Sequence, residues 1–142
     1  VPTEYTPEAN PAHSRLLELA ARVIPTVLDL WREHKSIEPT LLLWPTRVIT
    51  ARTGEPVTLV TVDLPTDAAQ RRPKILEAAK ACDAYGLLLT EQLEDSVRMI
   101  LESKHGTRTW RFPIKRHGDV CILGQPSYRD NSESIGVRWQ AN

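Results

Sequence analysis

Glycine and cysteine are scarce in this chain: 6 and 2 among 142 residues. No two glycines stand at the spacing of a dinucleotide fingerprint or a P-loop, so the common nucleotide-binding frameworks are excluded. Cys82 and Cys121 form no C-x-x-C and are too few for a disulfide framework. One falls at a helix end and the other in an alternating strand, so both read as small buried hydrophobes. The 4 histidines, His13, His34, His105 and His117, include no helical pair four residues apart, and His117-x-Asp119 reads as a polar turn rather than a metal corner. No metal and no cofactor is expected. A G-x-S-x-G nucleophile elbow is missing as well. No apolar run approaches the roughly 18 residues of a membrane span. The first residues, VPTEYTPEANP, have neither the basic nor the apolar region of a signal peptide, so a cytoplasmic protein is expected. An excess of one charge is also lacking, with 18 basic and 18 acidic side chains, and no global field draws the chain to nucleic acid or membrane.

What is present is a soluble composition, 41% apolar and 25% charged, in a length that suits one domain. Residues 1–9 are polar with 2 prolines and read as a weakly ordered arm, leaving 10–142 as a single domain. Asn10-Pro11 opens a helix, asparagine as cap and proline in the first turn, where its missing N–H has no partner to lose. Leu16, Leu17, Ala20, Val23, Ile24, Val27, Leu28 and Trp31 then recur in steps of three and four, which lays one apolar stripe on a core. Pro25 predicts a kink. The prolines at 39 and 45 predict an edge or irregular strand over 40–44. Residues 47–52 and 56–64 flank Thr53-Gly54-Glu55 and predict a hairpin. A second helix is expected over 73–84, with Pro73 in its first turn.

The second half carries four β-type runs, 85–93, 97–103, 108–116 and 120–124, joined by tight turns. Tight turns impose antiparallel pairing, since parallel strands need long crossovers. Residues 124–134 read as a long loop and 135–139 as a last strand. The fold class is therefore α+β: a mainly antiparallel sheet, meander-rich in its C-terminal half, with two amphipathic helices packed on it, both able to lie on one face.

Three functions follow from different features. Residues 96–142 carry 8 basic against 4 acidic side chains, and Arg111, Lys115, Tyr128, Arg129, Arg138 and Trp139 gather arginine with aromatics. Such residues dominate protein interfaces. The leading expectation is a non-enzymatic binding or accessory protein acting by protein contact, with self-association as one form and Trp139 at the contact. Alternation places Arg111 and Lys115 opposite Trp110 and Phe112, and Pro113 suits a strand near a sheet edge. The same basic strand would serve a nucleic-acid-associated protein. A third alternative is a small hydrolase-like enzyme centred on Glu91 with His105 or His117. Glu91 shares a parity with Leu87 and Leu89, and an inward carboxylate must be paired, protonated or functional.

Overall fold

A computed structural model of the chain describes residues 11–46 and 59–137, the side chains of 11–13 excepted. The N-terminal arm, the Thr53-Gly54-Glu55 turn, Arg138 and Trp139 lie outside the described residues. Among those described, the elements run α1 (Pro11–His34), β1 (Thr40–Pro45), β2 (Val60–Asp63), α2 (Ala68–Ala81), β3 (Ala84–Gln92), β4 (Ser96–Ser103), β5 (Gly106–His117), β6 (Val120–Leu123) and β7 (Ser127–Asp130). All strand pairs are antiparallel. The order is β2-β1-β3-β4-β5-β6, with β7 also on β5. The chain is an α+β fold.

α1 carries its stripe as the spacing predicts. Leu16, Leu19, Ala20 and Trp31 are buried, with Val23, Ile24, Val27 and Leu28 half-buried between them. The helix continues through Pro25, which lies with Ala21 on the exposed side, where a lost backbone bond costs least. Lys35, at φ 58°, ends it, its N–H donating to the Trp31 carbonyl. α2 begins at Ala68, not 73: the Asp67 carboxylate accepts from the Ala69 N–H at 2.9 Å and caps it. Pro73 thus lies inside the helix, with its lost bond near the exposed start.

β1 corrects the expectation of an edge strand. It lies between β2 and β3 and is buried on both faces, because its prolines stand before it and at its end rather than within. Leu42, Trp44, Leu88, Val97, Met99, Leu101 and Phe112 pack with α1. Leu41, Leu43, Leu87, Leu89 and Ile100 pack with Leu64, Ile75 and Ala79 from the α2 side. The helices therefore cover opposite faces of the sheet, not one. Gly86 lets α1 come close: a Cβ there would fall 2.5 Å from Leu16 Cδ2.

β5 is not an edge strand either. Its even residues pair with β4, and its odd residues turn their backbone groups to β6 and β7. Pro113 is tolerated there because only its carbonyl is used, accepting from Gly124 N–H at 2.7 Å. β7 lies within the stretch read as a loop. Its four residues are all exposed and bring no apolar alternation; backbone pairing to β5 and the Arg108–Asp130 ion pair hold it.

Candidate functional site

The α2 face of the sheet changes character from one side to the other. Under α2 it is leucine. Across β4, β5 and β7 it becomes polar, in lateral rows set by the register: Glu91, Arg98, Arg111, Ser127; then Leu89, Ile100, Thr109, Arg129. In the first row Arg98 and Arg111 are directly opposed, which by itself is unfavourable. The structure resolves this with carboxylates on either side. Glu91 takes Arg98 Nη2 at 2.6 Å and Arg71 Nη1, from α2, at 2.5 Å. Glu133, on the segment after β7, bridges Arg98 at 3.1 Å and Arg111 at 3.3 Å. The result is a chain of alternating charge from α2 to the outer strands.

Glu91 is thus inward, at 8% exposure, and both its oxygens are engaged by guanidinium groups. Neither histidine of the hydrolase reading comes near. Glu91 pairs with Arg98 near the start of β4, whereas His105 lies past its far end, a separation of roughly 20 Å at the rise of a strand. His117 stands six residues beyond Arg111 on β5, again roughly 20 Å away. Among the described residues no three His, Cys, Asp or Glu side chains gather to hold a metal. Cys82 and Cys121 are free thiols.

At the outer end of these rows is a groove of about 400 Å³ lined by Thr109, Arg111, Ser127, Tyr128, Arg129, Ser132 and Glu133. It unites three of the residues singled out from the sequence, though not as one cluster of side chains. Arg111 and Arg129 share the groove face. Tyr128 leaves by alternation on the other face, where Arg108, itself paired to Asp130 at 2.7 Å, lies 4.5 Å from its ring centroid. Lys115 is exposed on β5 four residues from Arg111, about 13 Å along the strand, and does not line the groove. Thr109 is 4% exposed, and its hydroxyl has no hydrogen-bond partner.

Sequence reasoning missed Glu102. At 2% exposure, it accepts from Ser134 Oγ at 2.9 Å, from Ile135 N–H at 2.7 Å and from Val137 N–H at 3.4 Å. It pins the segment after β7 to the sheet, and Arg72 of α2 holds the Ile135 carbonyl from the other side at 3.1 Å. The signal was Ile100, an apolar residue on the same parity as Arg98 and Glu102. It implies that this face is covered too, so that any carboxylate on it needs donors. Segment 131–137 forms no strand, contrary to expectation for its last residues. No helix among the described residues is long and apolar enough to cross a membrane. No protein-family model, curated protein or solved structure matches the chain.

Proposed function

We propose that this chain is a non-enzymatic binding protein that meets a protein partner by strand addition at β7. The observation that carries the reading is the outer edge of that strand. Odd residues of β7 bond to β5, so the N–H and C=O groups of Tyr128 and Asp130 point outward. No other strand of the described residues pairs with them. An edge of this kind is a template for an extended segment, with alternate side chains supplying selectivity. A second copy of the chain is one such partner. A cytoplasmic setting belongs to the same proposal, as does contact by Arg138 and Trp139 next to this edge in sequence. The nucleic-acid reading gains less support, since Arg108 and Arg111 are occupied by Asp130 and Glu133.

Tyr128→Pro tests the reading. It deletes an outward N–H and leaves every β5–β7 bond in place. Peptides selected from a random displayed library on the native protein should lose binding to this variant, while its urea midpoint stays unchanged. Selected peptides that bind the folded variant as tightly as the native chain would refute strand addition.

A further inference from the structure

We infer that the groove beside β7 is a carboxylate-binding site, and that the segment added to β7 is acidic on its groove-facing side. The inference rests on the strand-addition reading and names its partner's chemistry. Its first ground is charge. Arg71, Arg98, Arg111 and Arg129 meet only Glu91 and Glu133, and Arg129 makes no ion pair among the described residues. Arg129 is thus the cation of this row system without a carboxylate, and it lies at the groove. The second ground is the chain's own Glu133. It shows that these arginines accept a carboxylate in this place, held by two guanidinium groups at 3.1 and 3.3 Å.

The third ground is an orphan donor. Thr109 is 96% buried, lines the groove and has a hydroxyl with no partner, an arrangement that costs stability unless something else uses it. Ser127 and Ser132 add two more hydroxyls to the same wall. Register supplies the delivery. On an antiparallel strand added to β7, the residue opposite Arg129 forms a non-hydrogen-bonded pair, with Cα atoms about 4.5 Å apart and side chains on the groove face. An aspartate or glutamate there reaches Arg129 and the free edge of Arg111 without moving Glu133. Neighbouring positions of the partner turn to the opposite face, beside Tyr128, and are apolar in the matching sequence.

The test uses two fluorescent peptides, one alternating valine with aspartate and one alternating valine with asparagine, titrated by anisotropy onto the native chain. The aspartate peptide should bind about tenfold or more tightly than its amide twin, as loss of a desolvated charge contact implies. Arg129→Ala should erase that difference. Thr109→Val should weaken the aspartate peptide while leaving the fold as stable or more so, an outcome a purely structural threonine would not give. Equal affinity for both peptides, or a difference that survives Arg129→Ala, overturns the carboxylate site. If both bind equally and both are lost in Tyr128→Pro, strand addition stands and the acidic preference falls. If aspartate binding survives Tyr128→Pro but not Arg129→Ala, the carboxylate site stands and strand addition falls. A single-stranded oligonucleotide that displaces the aspartate peptide at equal concentration overturns the assignment of the source to a protein segment. Binding of neither peptide overturns the carboxylate site, and the displayed library then judges strand addition alone.

Discussion

Replacing Glu91 by glutamine removes one charge from a site where two arginines depend on it. The side chains of Glu91, Arg71 and Arg98 are 11%, 17% and 23% exposed, so this is not a surface pair worth a fraction of a kcal/mol. Removing one partner of a fully buried pair costs about 3–5 kcal/mol. Two features reduce that here. Arg71 also donates to the Pro65 carbonyl at 2.9 Å and to Thr66 at 2.6 Å, and Arg98 keeps Glu133. The glutamine oxygen can still accept one bond. The expected loss is about 2 kcal/mol, since a hydrogen bond to a charged group contributes about 1.5–3 kcal/mol and one of two is kept in weakened form. In urea this moves the midpoint by about 1 M with the slope unchanged. Combining Glu91→Gln with Arg98→Met should give a coupling of about 1 kcal/mol, as contacting residues do. Glu18→Gln is the control: its pair with Arg22 is 62% and 53% exposed, and the change should stay within about 0.5 kcal/mol. A Glu91→Gln loss no larger than that of Glu18→Gln, and abolished by salt, would mean that the charged row is solvated and does not tie α2 to the sheet.

Three further outcomes follow from close contacts and one ring. Gly86→Ala puts a Cβ 2.5 Å from Leu16 Cδ2 in a fully buried position, and urea unfolding should show a loss of about 1–3 kcal/mol that shrinks when Leu16→Ala is added. Gly106, at φ 140°, stands where a Cβ would fall 2.6 Å from Asn131 Oδ1, so Gly106→Val should lower the melting temperature and loosen the Asn131 bond to Thr107 N–H, read by amide exchange at Thr107. Burial, and then the charge of Lys104, hold the His105 imidazole below its ordinary value of 6.5. The folded chain therefore resists protonation, and stability is full above that value and falls as pH drops through the range beneath it. His105→Asn should flatten that fall between about pH 7 and pH 5, and an unchanged profile would refute the assignment.

How much of this was legible in the sequence depended on whether the deciding partner was near. The meander of β3, β4 and β5 could be read because each strand alternates and each turn is short. The α1 stripe could be read because a helix repeats its own period. The pairing of Glu91 could not, since one of its two arginines comes from α2, 20 residues earlier in the chain. Nor could the placing of the helices on opposite faces. Ile100 hinted at it, but parity within one strand does not say which helix covers which side. β1 reads as an edge or irregular strand because prolines bounding a strand look, in the sequence, much like prolines within it. β7 was invisible because Ser127, Tyr128, Arg129 and Asp130 are all exposed, and hydropathy records burial rather than backbone pairing.

Pro113 ties the strand order to the candidate site. It has no N–H to offer the outer strand, so the ladder loses nothing if it breaks opposite that residue. It does break there. β6 pairs with β5 in the register Ile114↔Leu123, and β7 in the register Arg111↔Ser127, one residue out of step. A one-residue shift exchanges the faces of every residue that follows. Along β6 the even residues Val120 and Ile122 lie on the α2 side, while Cys121 and Leu123 pack with α1. After the bulge the parity inverts: Ser127 and Arg129 come to the groove, and Tyr128 and Asp130 go to the α1 side beside Arg108. Without the bulge, Arg129 would leave the Thr109 row and the groove face, and Asp130 would lie on the face that already holds Glu133. Gly124 makes the bulge possible in space, because a Cβ there would approach Lys115 Cε to 2.8 Å and Pro113 Cγ to 3.0 Å. The composition of the groove is thus decided by a proline on β5 and a glycine just past the end of β6, neither of which lines it.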